Sequence, residues 1–192
     1  MMLSPNNRTV YTDAITPPAG YVLDRAVAAT YSMDLATLLS VPLQLVLQST
    51  EDRHELMRDP IALYEALRRA TERVDVFTQH GQVHAPRQHH LLYSLLEPMI
   101  AEVTTPRGGA FHPKIWVMRF VAQDGEKVQF RLMLSSKNLT ADRCWDIALT
   151  LDGTPGHDEN PNGITIASFL QELPGLSAGR FDAQPAYQSL VD

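Results

Sequence analysis

Residues 111–150 read FHPKIWVMRF, VAQDGEKVQF, RLMLSSKNLT, ADRCWDIALT. Apolar and β-branched residues fill two arms, and Asp124-Gly125 is the only turn signal between them. The stretch therefore predicts a β-hairpin with a third strand, Trp145 to Leu151, close behind. Side chains on a strand alternate faces, so His112 and Lys114 project from one side, and Ser136 and Asn138 project together from the second arm. Whether the two pairs share a face depends on the turn. A two-residue Asp-Gly loop pairs Gln123 with Glu126 and puts Ser135 and Lys137 on the His112 face, because a one-residue slip flips every side chain. A three-residue loop, Gln123-Asp124-Gly125, sets His112 opposite Ser136 with Lys114 and Asn138 alongside. The second is preferred because it gathers the reactive side chains.

An H-x-K followed by a strand, a turn, a second strand and then small-Ser-x-Asn resembles the phospholipase D superfamily of phosphodiesterases. His112-Pro113-Lys114 is similar to its H-x-K and Ser135-Ser136-Lys137-Asn138 to its G-S-x-N, over about a quarter of the chain. Two positions depart from the pattern. Arg119 stands where the family usually has Asp, and Ser135 where it usually has Gly. Loss of that Asp with His, Lys and Asn kept is similar to the tyrosyl-DNA phosphodiesterase branch and to nuclease-like members. The resemblance implies an α/β fold, a layered mixed β-sheet flanked by helices, forming one phospholipase D-like half. It also implies that Asp146 supports the catalytic imidazole.

The chemistry agrees with that carry-over. A phosphodiester repels nucleophiles, and its displacement is eased by positioning and by cationic hydrogen bonds to the phosphoryl oxygens. A histidine nitrogen can attack phosphorus and split one hard step into two. Lys114 would hold a phosphoryl oxygen as a point charge, Asn138 would donate its amide, and Ser136 would donate or orient. No metal or other cofactor is required.

The composition is that of an ordinary globular domain, with 44% hydrophobic and 20% charged residues in 192, enough for one well-cored unit. A formal charge of −6 argues against non-specific coating of nucleic acid. Between Arg107 and Lys137, six Lys or Arg face two acids, a local balance of +4 that leaves −10 elsewhere. A cationic patch on an acidic body suits a local anion. Cys144, the single cysteine, excludes an intrachain disulfide and suits a reducing cytoplasm; beside Trp145 it reads as core packing. The N-terminus lacks a secretory pattern, and the apolar window Ala26 to Gln48 contains Asp34 and Pro42, so no membrane partner is expected.

Along the chain, 1–19 reads as an extended lead-in, 20–175 as the phospholipase D-like domain and 176–192 as a tail or linker. Val22 to Met33 is a strand, and Asp34 caps a helix from Leu35 in which Pro42 is a kink or interruption. Tyr31, at the strand-to-helix junction, sits where ligands meet α/β sheets. Asp59-Pro60 opens a helix with Ile61, Tyr64 and Leu67 at helical spacing, and Val74 to Thr78 is a second strand. The segment from His80 to His90 holds four of seven histidines but offers no Cys or carboxylate, so it reads as a loop at an anion site, with Arg87 or His84 on substrate, not as a metal site. Leu91 to about Glu97 is a helix kinked or ended by Pro98, Val103 to Thr105 a short strand, and Ile164 to Leu173 a last helix ended by Pro174-Gly175.

Members of the superfamily commonly use two motif copies, and this chain has one H-x-K. A two-fold dimer could supply the second His, as could a second half if the chain is the N-terminal part of a longer protein. Two function classes follow. One is a metal-independent phosphodiesterase, a nuclease or DNA-end-processing hydrolase acting through phosphohistidine, with His112, Lys114, Asn138 and Ser136 catalytic and Lys137, Arg87, Tyr31 and Asp146 binding. The other is a non-catalytic phosphate- or nucleic-acid-binding assembly module.

Overall fold

A strand buried without interruption from Arg25 to Thr30 lies at the centre of the molecule, as expected where both sheet faces are covered. In this computed structural model, residues 11–50, 52–88, 90–142, 144–156, 161–177, 179, 187 and 190 are described. The order is α1 (Tyr11–Ile15), β1 (Tyr21–Thr30), β2 (Met33–Asp34), α2 (Leu35–Ser49), α3 (Arg53–Leu56), α4 (Pro60–Thr71), β3 (Val74–Gln79) and β4 (Val83–His84). A 3₁₀ stretch, Leu91–Met99, leads into β5 (Ile100–Val103), followed by β6 (Lys114–Ala122), β7 (Val128–Ser135), β8 (Ala148–Gly153) and α5 (Pro161–Leu176). The six-stranded sheet runs β5-β3-β1-β6-β7-β8, parallel from β5 to β1 and antiparallel from β1 to β8. It is the mixed, helix-flanked sheet expected from the sequence.

Alternation along the strands splits the core in two. Ala26, Ala28, Trp116, Met118 and Met133 face α1 and α2, while Val27, Ala29 and Val117 face Leu170 and Leu173 of α5. Asp34 caps α2 by accepting the Thr37 N–H at 2.6 Å. The helix passes through Pro42 without ending, because Leu38, Val41, Leu45 and Val46 around it are buried. In α4 the inward face is Leu63, Ala66, Leu67 and Ala70, not the expected Ile61 and Tyr64, which are exposed; the small alanines let α4 close on α2. Segments read as lead-in and tail also supply core: Ala14 and Ile15 join one cluster, Tyr187 and Leu190 the other. The last helix runs on past Pro174 to Leu176.

The hairpin register differs from the preferred one. Gly125 has φ 78° and donates its N–H to the Ala122 carbonyl at 2.7 Å, as a left-handed turn glycine should. Glu126, however, also enters the connection, its N–H taken by Asp124 Oδ1 at 3.1 Å. Ala122 then bonds to Lys127, Trp116 pairs with Met133 and Ile115 with Leu134. This is the alternative register, with odd residues of β7 on the Lys114 face.

The expected cationic patch is likewise dispersed. Arg119 pairs with Asp24, and Arg131 pairs with Asp152 while donating to the Ala14 and Thr16 carbonyls and lying over the Phe120 ring. Both guanidiniums hold the fold together. Beneath the sheet, Arg25 is fully buried against Asp75 and the Glu72 carbonyl. Burial pushes the Asp75 carboxyl up against the opposing pull of Arg25. Arg25→Ala, which strands that carboxylate, will cost about 3–5 kcal/mol in urea denaturation, and Arg25→Met with Asp75→Leu will recover most of it.

Candidate functional site

The carboxyl ends of β1 and β3 meet the amino end of β6, because β6 runs antiparallel to β1 with Thr30 opposite Lys114. That edge of an open sheet, beyond the strand termini, is where α/β folds place ligands. Gln79, the last residue of β3, accepts the Phe111 N–H on its Oε1 at 2.7 Å and so fixes the approach to His112. The exposed imidazole of His112 lies against the ring of Tyr31, with centroids 4.8 Å apart and planes tilted by 41°. Lys114 Nζ stands 3.0 Å from His112 Nδ1 and 3.4 Å from Nε2. Desolvation lowers the Lys114 pKa below that of an ordinary lysine.

The Ser-Ser-Lys-Asn segment reaches this end by bending, not by strand register. Ser135, next in register to Lys114, accepts the Lys137 N–H on its Oγ at 2.9 Å and turns the chain. Two residues on, Leu139 docks at the end of β1: its N–H is shared by the Ser32 carbonyl and Thr30 Oγ1, each at 3.2 Å, and its carbonyl accepts the Asp34 N–H at 3.0 Å. Asp34 Oδ2 also accepts the Ala141 N–H at 2.8 Å. Thr30, Lys114, Ser135, Lys137 and Leu139 line a common void of about 10 Å³. Asn138, carried between these anchors, has its Oδ1 enclosed with no hydrogen-bond donor among the described residues, a state that native proteins rarely leave without a reason.

Other expected residues go elsewhere. Ser136 donates to Asp146 Oδ1 at 2.9 Å and accepts the Ile147 N–H, which fastens β7 to the chain entering β8. Asp146 therefore serves Ser136 and the Cys144 thiol, not the imidazole, and those two bonds, the thiol's first, hold its carboxyl below the ordinary range. Lys137 donates to the Asp142 carbonyl, with Asp146 at 4.0 Å. Cys144 and Trp145 are exposed instead of packed in the core. Arg87 is exposed and has no hydrogen-bond or ion-pair partner among the described residues, while His84 faces the Met33 carbonyl at 3.3 Å and His80 pairs with Glu102. His89 lies outside the described residues. Among those described, no group of three or more His, Cys, Asp and Glu could hold a metal ion, and no helix is long and apolar enough to cross a membrane. The residues that sequence reasoning missed are Gln79 and Thr30, a strand-end amide and a buried hydroxyl that no motif marks. A cavity of about 980 Å³, lined by Gly20, Leu45, Arg53 and Gln123, lies at the other end of the sheet.

No protein-family model matches the chain, and no curated protein matches it in sequence. Among solved structures it is similar to yeast tyrosyl-DNA phosphodiesterase, with a TM-score of 0.51 at 14% identity, over 84% of this chain and 33% of that one. The likeness is one of fold. Two histidine variants of the same yeast protein each give a TM-score of 0.53 over 88% of this chain and 34% of theirs. The chain thus spans about a third of the length of the yeast protein.

Two outcomes test this geometry. Thr30→Val removes the acceptor beneath Leu139 and will cost about 1–3 kcal/mol in denaturant unfolding, with faster amide exchange confined to the segment around Leu139. The lowered Lys114 value means that the unfolded chain keeps this proton to higher pH, so native stability gains as pH rises between the lowered value and the ordinary one. A nitrogen-15 NMR titration will place the Lys114 midpoint below the ordinary lysine value of about 10.4.

Proposed function

We propose that this chain is a phospholipase D-like phosphodiesterase module that cleaves a phosphodiester of nucleic acid without a metal. The supporting observation is the contact between Lys114 Nζ and the His112 ring at 3.0 Å, on the exposed carboxyl end of a sheet whose fold resembles that of yeast tyrosyl-DNA phosphodiesterase. A nitrogen of His112 attacks phosphorus, the P–O bond to the leaving group breaks, and the departing oxygen takes a proton. Lys114 shifts its hydrogen bond to a non-bridging oxygen, where charge builds in the transition state. Tyr31 holds the imidazole plane, and Asn138 offers its carboxamide to the same phosphoryl group. Water then opens the P–N bond and regenerates His112. The proton for the leaving oxygen comes from a second imidazole, supplied by another copy of this chain or by a second motif-bearing half. The single H-x-K and the coverage of only a third of the yeast protein both favour that division of labour.

A polymeric substrate suits an imidazole that stands in the open at the end of the sheet, reachable by a strand or a duplex end. The name of the yeast protein ties its phosphodiesterase activity to DNA, and by analogy DNA ends are the preferred substrate class. A second reading is a non-catalytic phosphate-binding module. It is favoured by the diversion of Ser136 and Asp146 into bonds with each other.

Turnover of bis(p-nitrophenyl) phosphate and of end-labelled single- and double-stranded DNA separates the two. The catalytic reading expects His112→Ala to lose about 10²–10⁴-fold in kcat and Lys114→Ala about 10²–10³-fold, with thermal stability unchanged. Phosphate or DNA binding with no turnover in the unaltered chain, alone or with a second motif-bearing half, would assign it to the binding module.

A further inference from the structure

The sheet has two edges, and they are treated differently. On β5 the edge is capped at its carboxyl end, where Val103 bridges to Ser177 and the Thr104 N–H reaches the Leu176 carbonyl at 3.1 Å. On the other side β8 is the outermost strand, with no strand beside it among the described residues, and all six of its residues are exposed. Proteins blunt such edges with lysine, proline, bulges or very short strands. Ala148-Leu149-Thr150-Leu151-Asp152-Gly153 contains no lysine or proline, and its pairing to β7 runs without a register shift. Its odd residues are apolar: Ile147, Leu149 and Leu151 are 68%, 51% and 52% exposed, and they continue the face of Leu134 at 41%.

The hydrogen-bond parity of β8 decides what can join it. Ser136 donates its N–H to the Ile147 carbonyl at 2.9 Å, so in this antiparallel ladder Ile147, Leu149, Leu151 and Gly153 turn their backbone groups toward β7. The N–H and C=O of Ala148, Thr150 and Asp152 therefore point outward. Charge then selects the occupant. If β8 meets itself antiparallel about Thr150, Leu149 falls opposite Leu151, Asp152 opposite Ala148, and Ile147 opposite Gly153, with no like charges paired. The nearby carboxylates are already compensated, Asp152 by the guanidinium of Arg131 and Asp146 by Lys137 at 4.0 Å. The strand is thus self-complementary, as a two-fold interface requires.

We infer that β8 is a homodimerisation strand: two copies pair antiparallel through it with Thr150 on the two-fold axis, joining their sheets into one of twelve strands. The interface is independent of the proposed catalysis. Because β8 of the second copy runs in reverse, the two His112 sites lie at opposite ends of the joined sheet, and this dimer does not bring a second imidazole to either.

The test combines native mass spectrometry with directed cross-linking of the full chain. The unaltered chain should be dimeric at micromolar concentration. Thr150→Pro, which deletes one outward N–H, and Leu149→Lys should each weaken the dimer at least tenfold while circular dichroism and the melting temperature stay unchanged. In a Cys144→Ser background, Thr150→Cys should form a covalent dimer on mild oxidation, and Ile61→Cys, exposed on α4, should not. A monomeric unaltered chain, a dimer indifferent to Thr150→Pro, or equal cross-linking from positions 150 and 61 would overturn the inference.

Discussion

One buried hydroxyl ties the motif segments together. Thr30, 5% exposed at the end of β1, donates to the Ser32 carbonyl at 3.0 Å and accepts the Leu139 N–H at 3.2 Å, while its backbone sits in register with Lys114. The end of the central strand, the H-x-K strand and the Ser-Ser-Lys-Asn segment therefore meet at a single residue. A polar group enclosed at this depth is tolerated only because both its donor and its acceptor capacity are used. Thr78, fully buried in register with Thr30 on the neighbouring parallel strand, donates to the Tyr31 carbonyl at 3.2 Å. The two threonines hold the backbone that presents the Tyr31 ring to His112.

The polar side chains at this end form two groups, not one. His112, Lys114 and Tyr31 form an open cluster on the sheet edge, while Ser136, Asp146, Cys144 and Lys137 form a hydrogen-bonded knot that closes the path from β7 to β8. Asn138 falls within the sequence span of the second group, next to the anchored Leu139. The chemistry proposed for the first group needs cationic and donor atoms around one phosphoryl oxygen; within that group the cation is Lys114, while Arg119 and Arg131 are committed to Asp24 and Asp152. A site with so few cations suits one phosphate held locally, not a long charged backbone.

What was legible in the sequence was what period and capping encode. The central strand, the cap at Asp34, the Asp59-Pro60 helix start and the hairpin all follow from local rules, and the layered α/β arrangement follows from their order. The juxtaposition of His112 with Lys114 was legible from their spacing by two at the head of the expected strand, although His112 itself precedes β6, which begins at Lys114. The register was not, because whether Glu126 joins the turn depends on one Asx-type bond to Asp124, a small local preference that spacing does not reveal. Nor was the outward face of Trp145 and β8: an alternating apolar strand looks the same whether its partner is a helix of its own chain or something else. Gln79 and Thr30 carry no pattern at all and act only through tertiary bonds.

The central claim is that His112 becomes covalently bonded to phosphorus. It is tested most directly by quenching the chain in alkali during reaction with a DNA substrate, alone and with a second motif-bearing half, and mapping the adduct by peptide mass. The proposed mechanism predicts an acid-labile phosphoramidate on the peptide containing His112, absent from His112→Asn. Substrate turnover with no adduct on that peptide, or an adduct on another histidine that persists in His112→Asn, would contradict it.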